Sequence, residues 1–330
     1  MARDDAYPIH REAEALIRAA GLHRRERLAT LRVTGSDRLD YLHRMLTQSV
    51  DGLAEGQSAY GCLLTPKGRI LGDLLLWNAG DHLRLETSRD ALPAVRPPLE
   101  RYVIADDVTF EDGSPNEVAW VLAGPDALGV LVRAGFDVPV EGAFSETTWE
   151  GAPVLVLRWT RRGLPCFEIR APESVAAALE AKLLGTEDVH IAGPRAWAWA
   201  CAQYGIPLFG RELGDDVLFN EAGLEEAITW GKGCFPGQEP VVMAKHRGRP
   251  PRLLVAVDLE NETAVERGAE VRFDDGAVGS VTAWAPTLAH RPARALAFVK
   301  TAHAEEGKRV HVAKAGPGTV HLLAPEGAAS

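Results

Sequence analysis

The side chains best suited to chemistry lie in one short segment, Trp230–Glu239, which reads W-G-K-G-C-F-P-G-Q-E. It places the thiol of Cys234 two residues after the amine of Lys232, among three glycines. Glycines permit positive φ and a close approach of other groups, whereas Pro236 fixes one φ, so we expect a shaped loop that enters a helix or strand near Gln238. A neighbouring ammonium favours the thiolate, the nucleophilic form of cysteine. The pattern therefore predicts Cys234 and Lys232 as catalytic residues.

The segment does not match the motifs of three other kinds of site. The last glycine comes one residue too late for the dinucleotide fingerprint G-x-G-x-x-G. A phosphate-binding loop needs Ser or Thr after its lysine, where this chain has Gly233. A cysteine protease needs a histidine directed at the thiol, and the surroundings of His246 carry no such signature. Two interpretations without chemistry stay open: Cys234 as a small buried residue in a tight turn, or the segment as a rigid connection.

The composition is that of a folded globular protein, and it restricts the chemistry further. The chain has 330 residues, of which 46% are hydrophobic and 25% charged. Its four cysteines, at positions 62, 166, 201 and 234, contain no C-x-x-C pair, so neither a disulfide framework nor a zinc site is expected. The start of the chain lacks an apolar signal region, and no apolar run approaches the roughly 20 residues that cross a bilayer. We therefore expect a protein of the reducing cytoplasm, without a metal.

The net charge of -10 disfavours general binding to nucleic acids, because it repels a polyanion. Any anion must be held by a local basic cluster. The sequence offers two such clusters: Arg24, Arg25 and Arg27, and the stretch at 245–252 that contains Lys245, His246, Arg247, Arg249 and Arg252. A solvated surface is the more common explanation for a short basic run.

The elements that must position these residues form an α+β body followed by a β-barrel. Residues 28–35 predict a strand, Ser36 an N-cap, and the apolar spacing after it a helix. The turn at 65–68 separates two apolar runs and predicts a hairpin, whereas Pro97 and Pro98 predict a broken helix. From residue 251 onward, short strands recur at regular spacing. We expect a body over residues 1–250 and a barrel domain over 251–330.

The segment KGCFPGQE is similar to the K-G-C-[FY]-x-G-Q-E signature of the YgfZ family. Members of that family are folate-binding relatives of the glycine-cleavage T protein, an aminomethyltransferase, and they support iron-sulfur enzymes. The likeness continues through ordered blocks from about residue 28 to residue 300, among them LLTPKGRILGDLLLW and KHRGRPPRLLVAV. It implies an α+β, T-protein-like fold of ferredoxin-like halves around a central hole, with a small C-terminal β-barrel.

The resemblance also implies a ligand, partners and site residues. Tetrahydrofolate is the implied cofactor, bound in the central cavity, and the implied role is iron-sulfur cluster assembly or repair, with a link to tRNA modification. The implied functional residues are Lys232, Gly233, Cys234, Gly237, Gln238 and Glu239, with Lys245 and Arg247 able to meet a folate glutamate tail or an RNA phosphate. Expected partners are folate, iron-sulfur enzymes or their assembly proteins, and at most weak tRNA contact, for a cytoplasmic monomer.

The sequence departs from the family in two places. Where relatives read R-I-E-A-G-I-P, residues 201–207 read C-A-Q-Y-G-I-P, so Gln203 replaces an acid that can pair with the pterin. The T protein's Y-T-G-E-x-G-F-E stretch is replaced by W-T-R-R-G-L-P-C-F-E at 159–168, and Asp90 has no clear alignment with the catalytic aspartate of the aminomethyltransferases. The missing stretch and the unaligned Asp90 argue against glycine cleavage. Gln203 is expected among the cofactor-binding residues, with Gly233, Gly237, Gln238, Glu239, Lys245 and Arg247, but its neutral amide gives the pterin no charge-assisted hydrogen bond. A tetrahydrofolate-dependent aminomethyl or methyl transferase and a non-enzymatic tRNA- or protein-binding module stay open as alternatives.

Overall fold

The computed structural model describes residues 7–113, 116–246, 248–274 and 276–323. In this part of the chain the first strands are β1 (Ala20–Arg24), β2 (Leu28–Thr34), β3 (Ser58–Leu64), β4 (Ile70–Asn78), β5 (Leu83–Ser88), β6 (Thr109–Asp112), β7 (Glu117–Ala123), β8 (Phe144–Trp149), β9 (Ala152–Arg158), β10 (Cys166–Pro172) and β11 (Val189–Ile191). They are followed by β12 (Arg252–Leu259), β13 (Glu270–Phe273), β14 (Gly276–Ala285), β15 (Ala293–Lys300), β16 (Arg309–Val312) and β17 (Gly316–Leu322). The helices are α1 (Tyr7–Arg18), α2 (Arg38–Met45), α3 (Leu92–Arg101), α4 (Ala127–Ala134), α5 (Glu173–Leu184), α6 (Pro194–Tyr204) and α7 (Gln238–His246).

Two open sheets form the body. One has the strand order β11-β1-β7-β10-β9-β8 and the other the order β3-β4-β5-β2-β6. Helices α4 and α5 share a core with the first sheet, and α2 and α3 share one with the second. Each sheet thus buries one face beneath its own pair of helices. The remaining faces contribute to a common core together with α1, α6 and part of the barrel.

Strand alternation explains how each sheet serves two cores. In β4, Leu74 and Leu76 pack beneath the helices of their own sheet, whereas Leu75 and Trp77 face the common core. In β7, Trp120 faces the helices and Val121 the common core. Successive side chains of a strand point to opposite faces, so an almost continuous apolar run such as that of β4 is required where both faces are covered.

The C-terminal strands close into a barrel in the order β12-β15-β14-β13-β16-β17. Small and β-branched residues fill its interior, including Val255, Val281 and Ala297. Helix α6 joins the barrel to the body, where the indole nitrogen of Trp199 donates a hydrogen bond to the Pro286 carbonyl oxygen over 2.9 Å. The predicted α+β body with a small C-terminal β-barrel is confirmed.

Two local predictions were wrong. Ser36 does not cap α2; the N-cap position belongs to Asp37, and the Ser36 hydroxyl donates instead to Asp107 Oδ2 over 3.0 Å. Helix α3 is not broken, since it continues through Pro97 and Pro98. The prolines remove two main-chain donors, but burial of the apolar face of this helix against the second sheet outweighs that loss.

None of the helices in the described ranges is both long enough and apolar enough to pass through a membrane.

Candidate functional site

The motif segment forms a loop that rests on the β3–β4 hairpin and leads into α7. Gly237 has φ of +79°, and a Cβ atom at this position would lie 2.4 Å from the Thr65 carbonyl oxygen. Pro240, in the first turn of α7, would lie 3.1 Å from a Cβ at Gly68. Only glycine allows both the left-handed backbone and this close contact between two segments of the backbone. The loop is therefore fixed to the hairpin, and α7 begins at Gln238 as expected.

Cys234 is exposed on this loop, whereas the other three cysteines are buried. The amine of Lys232 donates a hydrogen bond to the His43 carbonyl oxygen and lies 5.1 Å from the centre of the Phe235 ring. Partial burial lowers the pKa of Lys232 to about 8, although the nearby Cys234 opposes that shift. The amine is still mostly protonated at pH 7, so it places a positive charge close to an accessible thiol.

The remaining predicted site residues lie on the motif loop and along α7. Gly233 is exposed and has open space where a side chain would be. Gln238 is the partly buried first residue of α7, and Glu239 beside it is exposed. The Lys245 amine packs 3.4 Å from the centre of the Trp230 ring. Arg247 lies outside the described residues.

Gln203 lies elsewhere, at the junction between α6 and the barrel. Its side chain is 1% exposed, and its amide nitrogen donates to the Pro292 carbonyl oxygen over 2.8 Å. Arg294 of β15 donates to the Gln203 main-chain oxygen over 2.7 Å. The contacts of Gln203 hold the barrel to the body, and it does not line the cavity described below.

A central cavity of about 290 Å³ lies between the two sheets, and a smaller one of about 160 Å³ adjoins it. Both are lined by Tyr60, Trp159, Arg161 and Pro207. The larger cavity is also lined by residues of β1 and the β1–β2 connection, β4, β5, α6 and the segment 207–209. Its volume is close to the lower limit of about 300 Å³ for common small-molecule sites. The motif loop contributes to neither cavity.

Aromatic rings and polar groups alternate along the wall of the central cavity. The Tyr60 and Trp159 rings lie 4.8 Å apart, and the Tyr60 hydroxyl donates to Asp73 Oδ2 over 3.2 Å. The His23 ring stacks on Trp197 at 5.3 Å, and burial lowers the pKa of this histidine. Such a wall can pack against a flat heterocycle while its polar groups fix the orientation of the ring.

A buried group of charges joins the two sheets beside this cavity. Arg170 of β10 is fully buried and donates to Glu86 of β5 over 2.6 Å and to Glu168 over 3.1 Å. Arg25 donates to the second oxygen of Glu168 over 2.9 Å. Burial alone raises the pKa of Glu168, but the guanidinium groups of Arg25 and Arg170 reverse this and hold it below its ordinary value. Glu168 is therefore an ionised carboxylate.

Asp90 lies at the edge of the central cavity and is paired there. Arg27 Nε lies 3.0 Å from Asp90 Oδ2, and the carboxylate side chain is 51% exposed. The sequence could not predict this pair, because Arg27 is 63 residues away from Asp90 along the chain.

The residues described by the structure contain no cluster of His, Cys, Asp or Glu that could hold a metal ion. Cys234 has no second thiol or imidazole beside it in such a cluster, so the loop by itself offers a single sulfur ligand.

The sequence matches the model of a known protein family. The model of the GCVT N-terminal domain matches residues 2–232, which is well over half of the chain. The chain belongs to the GCVT family. The match ends at Lys232, so Cys234, α7 and the barrel lie beyond the segment that defines this family relationship.

The sequence of this GCVT-family protein aligns with individual relatives over most of their length. The chain is 30% identical over 319 residues to the aminomethyltransferase of Bacillus cytotoxicus, covering 93% of this chain and 86% of that one. It is 28% identical over 319 residues to the aminomethyltransferase of Cutibacterium acnes, covering 91% and 85%. The crystal structure of glycine cleavage system aminomethyltransferase T from Bartonella henselae superposes with a TM-score of 0.85 at 24% identity, covering 95% and 88%. The predicted aminomethyltransferase fold is confirmed.

The structure adds residues that sequence reasoning did not select. Tyr60, Asp73 and Glu86 line the cavity from strands for which the sequence predicted only a packing role. Trp159 and Arg161, which lie where the sequence differs from the T-protein motif, also line the cavity. A signal was present for the last two, since unusual residues replaced a whole family motif there. No comparable signal marked the strand residues, because alternation shows which side chains share a face but not which face meets a cavity.

Proposed function

We propose that this protein is a YgfZ-like member of the GCVT family that binds tetrahydrofolate and supports the assembly or repair of iron-sulfur enzymes. The observation that carries the second part is the exposed thiol of Cys234 on a rigid loop, beside the charged amine of Lys232. A thiol with only a packing role would be buried, like Cys62, Cys166 and Cys201. This supports chemistry at Cys234 over a purely structural turn.

The central cavity is the proposed folate site, and its residues fit that ligand. Tyr60 and Trp159 would pack against the pterin or the adjacent aromatic ring. Asp73, at the cavity wall, would accept hydrogen bonds from the amino groups of the pterin, which carries several donors. The low pKa of His23 keeps its ring neutral near the ligand at pH 7. Bound tetrahydrofolate would supply a nitrogen that carries one-carbon units.

Cys234 would act on the outside of the molecule. Its sulfur, beside the ammonium of Lys232, could bind iron as a thiolate or displace a thiol from a disulfide. Iron-sulfur clusters in proteins usually use about four ligands, so Cys234 would supply one of them and a client protein the others. The partners proposed for this surface are iron-sulfur enzymes or their assembly proteins, including those of tRNA modification.

The test is restoration of iron-sulfur enzyme activity in a strain that lacks this protein. Wild-type protein should restore the activity, and Cys234→Ser should fail to do so at equal abundance. Cys201→Ala is the matched control, because it removes a buried thiol beside Ala200 and Ala202 and should restore activity. Full restoration by Cys234→Ser would contradict the proposed role of the thiol.

A second candidate, a tetrahydrofolate-dependent aminomethyl or methyl transferase, is favoured by a different observation. The relatives that cover most of the chain are named aminomethyltransferases, and a carboxylate, Asp90, lies at the edge of the cavity. Purified protein would then turn over an aminomethyl or methyl donor only when tetrahydrofolate is present. Absence of turnover with every such donor would leave the first candidate alone.

A further inference from the structure

Arg161 occupies a rigid position between the two cavities. It begins a tight turn in which Arg161 and Leu164 exchange two main-chain hydrogen bonds of 2.9 Å. The two central residues, Arg162 and Gly163, have φ of +49° and +80°. Arg162 is tied down by the Gly223 carbonyl oxygen and by Glu226. The turn is thus anchored through Arg162, which leaves Arg161 free to line both cavities.

The guanidinium of Arg161 makes no direct ion pair in the described part of the chain. It lies 4.7 Å from the centre of the Trp159 ring, and the buried carboxylate of Glu168 acts on its charge from beyond ion-pair distance. The other arginines of the central cavity are paired: Arg24 with Glu173 and Glu180, Arg25 with Glu168, and Arg27 with Asp90. A partly buried guanidinium without a direct ion-pair partner is costly, because protein groups have replaced some of its water.

The surroundings of Arg161 determine what kind of anion could bind it. Its guanidinium stacks on one aromatic residue, Trp159, whose ring lies next to that of Tyr60. A planar guanidinium pairs with a carboxylate through two parallel hydrogen bonds, which are stronger than bonds between neutral groups. The aromatic rings beside it favour a carboxylate that belongs to, or lies against, a flat ligand.

We propose that Arg161 binds a carboxylate in the neck between the two cavities and thereby selects ligands that carry one. The inference rests on the proposed function in one respect, namely that tetrahydrofolate occupies the central cavity. The carboxylate could come from the glutamate of the folate itself or from a separate small amino acid bound beside the pterin. Both sources share the same chemistry, and titrations can distinguish them.

Calorimetric titrations with three probes test the proposal: tetrahydrofolate, 6-methyltetrahydropterin, which lacks the p-aminobenzoyl ring and its glutamate, and sarcosine added to pterin-loaded protein. Arg161→Gln should lower the affinity for a carboxylate-bearing probe by at least about tenfold, the loss expected for one charge-assisted pair. Its affinity for the pterin should stay within about twofold of the wild-type value. Loss confined to tetrahydrofolate identifies its glutamate as the source. Loss confined to sarcosine identifies a separate amino acid. Arg161→Lys should recover part of the lost affinity.

Arg309→Gln is the matched control, because it removes the same charge from an arginine that pairs with Glu260 on the barrel and lines neither cavity. Its affinities should match those of the wild type. Equal loss for the pterin and the carboxylate-bearing probes in Arg161→Gln would show a structural role and overturn the inference, as would no loss for any probe. If the wild type binds neither tetrahydrofolate nor the pterin, the proposed function fails as well.

Discussion

At the scale of single residues, burial separates the four thiols. Burial raises the pKa of Cys62 well above its ordinary value and that of Cys201 to about 11. Cys166 is shifted in the same direction by the same cause. These three side chains stay protonated and shielded at neutral pH. Cys234 alone among the four is exposed, so reagents in solution should reach this thiol first.

We predict that native protein loses one thiol rapidly to iodoacetamide, and that Lys232→Gln slows this reaction at pH 7. While it is charged, the ammonium of Lys232 attracts the negative charge that the sulfur carries as it reacts. Because its pKa is about 8, the charge is lost as the pH rises through that value. The difference in rate between wild type and Lys232→Gln should therefore shrink between pH 7 and about pH 10.

Mass spectrometry of peptides from the alkylated protein identifies the thiol that reacts and its rate. Lys245→Gln provides the control, since it removes an equal charge from α7 at an amine that packs on Trp230. Its alkylation rate should match that of the wild type. A rate difference for Lys232→Gln that is absent at pH 7, or that grows with pH, would refute the electrostatic role of the amine.

At the scale of elements, the motif loop depends on how closely it approaches the β3–β4 hairpin. Gly237 and Gly231 both have left-handed backbones, with φ of +79° and +85°. They differ in their surroundings, because a Cβ at Gly237 would overlap the Thr65 carbonyl oxygen, whereas one at Gly231 would meet no atom within 4 Å. The two positions therefore separate backbone strain from steric overlap.

We predict that Gly231→Ala lowers the free energy of unfolding by about 1–2 kcal/mol, the strain of a left-handed alanine. Gly237→Ala should cost about 1–3 kcal/mol more, because the loop must also move away from the hairpin. Urea unfolding of the two variants measures both values. Equal losses would show that the loop has room to shift and that its attachment to the hairpin is loose.

The sequence was sufficient to predict several of these elements. The turn at 65–68 marked the β3–β4 hairpin, the Pro236 and Gly237 pair marked the start of α7, and regular short strands marked the barrel. Local signals failed where tertiary contacts overrode them. Asp107, remote in sequence, binds Ser36 in place of a capping contact, and the buried apolar face of α3 keeps it intact through Pro97 and Pro98.

At the scale of the whole molecule, the proposed folate site exists only because two sheets meet. Arg170 and Glu86 pair across the interface although they are 84 residues apart in sequence. Tyr60 of β3 likewise meets Trp159, the residue that directly follows β9 of the other sheet. The motif loop could be found from sequence because its residues are neighbours in the chain. The cavity could not, since nothing local specifies which distant strands meet face to face.

The same arrangement places the two proposed activities apart. Cys234 lies on a loop held by the β3–β4 hairpin, whereas the central cavity lies between the sheets and receives no residue from that loop. Folate binding and thiol chemistry should therefore be separable by mutation. Bound folate would then stabilise the body of the protein, and the thiol on its surface would meet client proteins.

Titration of the purified protein with tetrahydrofolate in a calorimeter tests the central claim, that the cavity between the sheets binds folate. We predict saturable binding of one tetrahydrofolate per chain by the wild type and by Trp284→Ala, a barrel variant remote from the cavity lining. Trp159→Ala, which removes an aromatic wall, should weaken binding by at least about tenfold. Absence of binding by the wild type, or equal affinity in all three proteins, would show that this cavity is not a folate site.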